Sequence, residues 1–177
     1  AMVDLTEIIR ETLSLRSDEQ RLANIAIIDK LKEDLPEVFV DPHQVQQVLL
    51  NLVENAEQAM MTAHGRGTIA LRTWHDRDED SVLLEIQDDG PGIPEDAQPR
   101  IFEPFFTTKD TGKGTGLGLT VAYAIMQEHG GQIRLVSNSS GGANFHIGFP
   151  SGIKKTIRHG PLPPSPLPTD IGGGASA

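Results

Sequence analysis

Residues 81–94 read SVLLEIQDDGPGIP. Val82, Leu84 and Ile86 alternate with Leu83, Glu85 and Gln87, which predicts a strand over 81–88 with the first three on one face. Asp88 falls in the same phase, so its carboxylate is aimed into the layer those apolar residues fill. A carboxylate taken out of water needs donors. Gly90 and Gly92 follow at once, and chain without a Cβ can approach a flat ligand closely. An ionised aspartate only accepts, so the matching ligand group is a donor such as an exocyclic amine. An aspartate that simply caps its own turn gives the same letters. On these residues alone both readings stay open.

Working outward, residues 68–75 read as the strand before this one, across the charged turn Asp76 to Asp80. Leu5, Ile8, Ile9 and Leu13 recur at helical spacing behind Asp4, which predicts a helix over 4–15. Residues 24–31 predict a strand. Asp41-Pro42 opens a helix over 42–63, with proline in its first turn. Its apolar face runs Val45, Val48, Leu49, Leu52, Val53, Ala56, Ala59 and Met60, and Gly65 and Gly67 close it. Residues 89–114 carry four glycines and four prolines, the marks of a long functional loop; a short helix at 95–102 fits within it. A further helix over 115–129 ends at Gly130-Gly131. Ile133 and Leu135, then Phe145, Ile147 and Phe149, alternate as a closing hairpin. Strands outnumber crossovers, so the expected fold is an α/β sandwich: a mixed sheet with helices on one face.

The 177 residues suit one domain with a tail. Residues 1–3 are expected to be a tag or linker remnant, 4–152 the domain, and 153–177, with PLPPSPLP and GGG, a tail or linker. There is no cysteine, which excludes disulfides, thiolate metal sites and a cysteine nucleophile. Neither a membrane span nor a signal peptide is expected. Fifteen basic against 25 acidic residues leave a net charge of -10, the wrong sign for a nonspecific nucleic-acid binder. An anionic ligand must therefore be held by local groups.

Three further stretches offer such groups. The 42–63 helix carries Asn51 and Asn55 on one face, in a stripe with Gln44, Gln47 and Gln58. Amide oxygens suit a hard cation such as Mg²⁺, which takes its other ligands from phosphates and water. Glu54 and Glu57 beside the stripe are expected to be solvated. Gly112-Lys113-Gly114-Thr115-Gly116-Leu117-Gly118-Leu119 runs straight into a helix, and converging N–H groups at a helix start make an anion site. No Gly-Lys-Ser/Thr ends it, so it is not a Walker loop. Between the glycine clusters, IFEPFFTTK (101–109) holds three of the six phenylalanines. These residues read either as a small apolar anchor or as a lid, with Lys109 offering a mobile charge to a terminal phosphate.

Together the four stretches resemble the ATP-binding catalytic domain of sensor histidine kinases, related to gyrase-type and heat-shock-chaperone ATPases. NLVENAEQAM (51–60) resembles the N box, DDGPGIP (88–94) the G1 box, IFEPFFTTK the F box and GKGTGLGLTVAYAIMQEHGG (112–131) the G2 box. The form of the N and F boxes is most similar to the nitrogen-regulation subgroup. The resemblance implies a Bergerat-type two-layer sandwich of about five strands and three helices. It implies Asp88 against adenine N6, Asn55 as the Mg²⁺ ligand and Asn51 near the phosphates. Gly90 and Gly92 would shape the adenine pocket. Gly114, Gly116 and Gly118 would hold the phosphates, Thr115 would offer a hydroxyl contact, and Lys109 would reach the γ-phosphate; Ile93, Phe102, Leu117 and Leu119 complete the implied nucleotide-binding set. Asn51, Asn55 and Lys109 would be the catalytic set.

His43, His64, His75, His129, His146 and His159 all lack the phosphoacceptor context of that family. The acceptor histidine and its general base are therefore expected on a dimerisation domain outside this chain. The resemblance implies ATP, that domain and a response regulator as partners, no nucleic acid or direct membrane contact, a monomeric fragment and a cytoplasmic location. A gyrase- or chaperone-type ATPase is the alternative, though such enzymes place a glutamate base where Asn51 stands. A nucleotide-binding module without transferase activity, or an anti-sigma-type serine kinase, lies further off.

Overall fold

A computed structural model describes residues 1–104, 118–136 and 141–151. Strand β1 (Met2–Val3) leads into helix α1 (Leu5–Leu22), which Asp4 caps by accepting from the Thr6 N–H. Strand β2 (Ile25–Lys30) and the short β3 (Val38–Phe39) follow. Helix α2 (Pro42–His64) starts as its sequence requires: the Asp41 carboxylate accepts from His43 N–H, and Pro42 occupies the first turn. It stops at Gly65, whose φ of +69° suits a residue without a Cβ. Strands β4 (Gly67–Asp76) and β5 (Ser81–Asp88), helix α3 (Gly118–Glu128), and strands β6 (Gln132–Val136) and β7 (Asn144–Pro150) complete the order.

The main sheet runs β2-β4-β5-β7-β6, with β2 parallel to β4 and every other pair antiparallel. The mixed sheet with three helices is as expected. Register sorts the side chains. Leu71 faces Ile86, Ile86 faces Phe145, Leu84 faces Ile147, and Ile147 faces Ile133. That row is buried against Ile8 and Ile9 of α1, Val48, Leu49 and Leu52 of α2, and Ala122 and Met126 of α3 in one apolar core. The opposite face carries Arg72, Trp74, Glu85 and His146, and no helix among the described residues packs on it.

Several expected boundaries shift. Helix α1 runs seven residues past Leu15, because its second half is held by polar contacts that no apolar period announces. Met2–Val3 pairs with Val38–Phe39 as a small second sheet. The helix expected at 95–102 is only a 3₁₀ turn at Gln98–Arg100. Pro99 inside that segment lacks the N–H an α-helix needs. Among the described residues, no helix is long and apolar enough to cross a membrane.

Candidate functional site

Asp88 ends β5 on the covered face and is buried, 5% exposed. Its Oδ1 accepts from the Gly90 N–H at 2.9 Å and the Ala143 N–H at 3.1 Å. Its Oδ2 accepts from none of the described residues. One oxygen is thus fixed by main chain while the other is left for a donor from outside. Burial pushes the Asp88 carboxyl above its ordinary range; the two N–H donors pull against that rise and Asp89 adds to it. Asp89 has a separate task. It accepts from the Thr68 N–H and ties the loop to the start of β4.

Gly90 lies against α2: a Cβ there would come 3.4 Å from Ala59 Cβ. Gly92 has φ +80° and turns the chain over the Gly142 carbonyl. Ile93 then packs, partly buried, on the core. The G1 stretch is therefore a shelf that begins at Asp88 and folds back between α2 and the entry of β7.

Asn51 and Asn55 stand one turn apart on α2, both half-buried. Asn51 does more than the sequence discloses. Its Nδ2 donates to the Gly118 carbonyl at 3.0 Å, and its Oδ1 accepts from Gln47 Nε2 at 2.9 Å. The side chain so fastens the first residue of α3 to α2, at the helix start where the glycine-rich stretch arrives. Leu119 packs partly buried on the core. Phe102 lies between Tyr123 and Phe145, at 5.2 and 6.5 Å between ring centroids, and its carbonyl accepts from Thr120 Oγ1. It anchors the described start of the F-box stretch, residues 101–104, to α3 and β7. Lys109, Gly114, Thr115, Gly116 and Leu117, all expected to bind the nucleotide, lie outside the described residues.

One correction and one omission stand out. Glu57 is not solvated; it is buried, and accepts from Arg16 at 2.5 Å and from Gln20 Nε2 at 2.7 Å. Glu54, 3.6 Å from the same arginine, keeps its side chain 45% exposed, in line with the expectation. The omission is Gly142-Ala143, which touches Asp88 directly; the only sequence sign was a glycine pair before the last strand.

The site thus combines a buried, half-satisfied acid, a close-packed glycine shelf and an amide, Asn51, at a helix start. A family model described as histidine kinase-, DNA gyrase B- and HSP90-like ATPase matches residues 40–153. The chain belongs to that family. Sporulation kinase E of Bacillus subtilis strain 168 is 38% identical over 146 residues, which is 82% of this chain and 19% of that protein. The chain thus spans about a fifth of that relative's length. The catalytic domain of histidine kinase ThkA superposes with a TM-score of 0.73 at 33% identity, covering 85% of this chain and 95% of that one. Full-length ShkA in complex with AMPPNP gives a TM-score of 0.73 at 29% identity, covering 85% of this chain and 30% of that one. ThkA has also been solved with the response regulator TrrA; there the TM-score is 0.71 at 30% identity, over 88% of this chain and 42% of that one. Fold, motif order and relatives agree: the chain is a histidine kinase ATP-binding catalytic domain.

The donor chemistry suits both parts of a metal–nucleotide ligand. The unengaged Asp88 Oδ2 fits an amine on a purine edge. Magnesium prefers oxygen ligands and keeps several waters, so a single neutral amide oxygen at Asn55 is a fitting protein contribution. No group of three His, Cys, Asp or Glu that could hold a metal occurs among the described residues.

Proposed function

We propose that this domain transfers the γ-phosphoryl group of Mg-ATP to a histidine on a dimerisation domain outside this chain, within a two-component signalling protein. The observation that carries the reading is the Asp88 carboxylate, buried with one oxygen held and the other open. Adenine fits it through N6; guanine would set a carbonyl acceptor against an acceptor. Asn55 would hold Mg²⁺, which when bound neutralises charge on the β- and γ-phosphates. Asn51 would keep the start of α3 beside α2, so that the glycine N–H groups meet the phosphates there. We assign phosphate contact to Gly114, Thr115, Gly116 and Gly118, and γ-phosphate contact to Lys109.

Phosphoryl transfer asks the protein chiefly for alignment and charge stabilisation. The incoming imidazole nitrogen forms the new N–P bond as the bridging O–P bond breaks and ADP leaves. Asn51 supports transfer over hydrolysis, because an amide cannot take a proton from water. The response regulator of the two-component pair would then receive the phosphoryl group; the ThkA–TrrA complex supports this order. ATP as substrate supports a cytoplasmic placement.

The test mixes the chain with a separate histidine-bearing helical hairpin domain and γ-labelled ATP. Label on the hairpin histidine is expected; steady release of phosphate with no labelled histidine would favour the ATPase reading. Mg-ATP should also raise the melting temperature more than Mg-GTP does. Equal shifts would count against Asp88 as the base-reading group.

A further inference from the structure

We propose that Gly142 and Ala143, at the entry of β7, are positioning residues that hold the Asp88 carboxylate in its ligand-reading orientation. The proposal rests on the adenine reading of Asp88 and adds a second segment, far along the chain, that fixes it. Ala143 supplies contacts in both directions. Its N–H donates to Asp88 Oδ1 and its carbonyl accepts from the Asp88 N–H, at 3.1 and 3.0 Å. Gly142 N–H donates to the Gly90 carbonyl at 3.1 Å. The entry of β7 therefore grips both the acid and the first glycine of its shelf.

Only glycine fits the middle of this grip. At Gly142 an added Cβ would lie 2.0 Å from the Asp88 carbonyl oxygen and 3.2 Å from Oδ1. Its φ of +54° is left-handed as well. The obstruction is Asp88's own backbone, which cannot swing aside as the end of a long side chain can. A methyl group at 142 must separate β7 from β5 at this point, and the separation removes the Ala143 donor from Oδ1. The Asp88 carboxylate then loses one of its two restraints and turns within the site.

Carbon-13 and nitrogen-15 NMR of the whole 177-residue chain tests this without nucleotide. In the unaltered protein the amide resonances of Gly90 and Ala143 should titrate with the same midpoint as the Asp88 carboxyl carbon. An Ala143 amide that ignores that titration overturns the proposal. In Gly142→Ala the Asp88 midpoint should rise, since a donor to the ionised form is lost, and ATP should bind roughly tenfold more weakly or worse. An unmoved or lowered midpoint in a folded Gly142→Ala also overturns it. Gly65→Ala supplies the strain control: its φ is +69° and a Cβ there meets nothing within 4 Å. It should leave both the midpoint and the affinity alone, and an equal disturbance would reduce the effect to backbone strain. If Gly142→Ala does not fold, the titration of the unaltered chain decides. If Asp88→Asn leaves ATP affinity intact, the adenine reading falls, while the titration still judges the grip by itself.

Discussion

Asp88 sits where a carboxylate is costly, and the sign of that cost makes a prediction. The folded chain holds its proton more tightly than the unfolded chain does, because burial raises the carboxyl. Stability tied to this group therefore falls as pH rises past the unfolded value of about 3.9, through the folded one, and stays lower at neutral pH. Asn at this position keeps an oxygen for Gly90 and Ala143 but carries no charge. Asp88→Asn should melt at the same temperature or higher at pH 7, by differential scanning fluorimetry. It should also bind ATP at least tenfold more weakly by calorimetry, since the amide offers a donor to a donor. A lower melting temperature with unchanged affinity would reverse the argument. The acid itself was legible, because period-two alternation carries its direction. Its restraints were not. Ala143 is 55 residues away, and the Asn51 partner Gly118 is 67 away; no local pattern reports a contact at that range.

Helix α1 shows what happens to an element whose stabilising contacts are polar. Its apolar repeat stops at Leu13, so the sequence predicts an end near Leu15, yet the helix continues to Leu22. Arg16 and Gln20 on the added turns reach across to Glu57 of α2. Burying Glu57 without them would strand a charge. Removing one partner of such a pair costs about 3–5 kcal/mol when fully buried. Arg16 is 23% exposed in its side chain, so Arg16→Met should cost less, on the order of 2 kcal/mol, in urea denaturation. ATP affinity should hardly change, as the side chain of Asp88 is held by Gly90 and Ala143 and not by this pair. A variant as stable as the parent would show that the pair is solvated in solution. Helix α2, by contrast, was read nearly to the residue, since its cap, its proline, its apolar stripe and its terminal glycine all agree. The two-residue strands β1 and β3 escaped notice because so short a run has no period.

At the scale of the whole molecule, strand β5 sets two carboxylates on opposite faces of the sheet with opposite electrostatics. Asp88 points to the helix side and is raised. Glu85 points to the open side, where burial also pushes it up. There Asn144, Arg72 and His146 hydrogen-bond to it and prevail, holding it at about 2. Arg72 at 3.1 Å also stacks over the Trp74 ring at 4.3 Å, and His146 meets that ring edge-on. The cluster ties β4, β5 and β7 together on the face opposite the three described helices. A depressed carboxyl contributes stability above its unfolded value, about 4.5, and that contribution is lost as pH falls towards 2. Glu85→Gln should therefore be less stable than the parent at pH 7, by about 1–2 kcal/mol after allowance for solvent screening. The difference should shrink as pH falls from about 5 to about 3, measured by urea unfolding at each pH. Asp88→Asn should trace the reverse: its advantage over the parent, absent in acid, opens as pH rises. If both variants show a constant offset from the parent across this range, neither carboxylate carries the linkage, and the acid limb belongs to groups elsewhere.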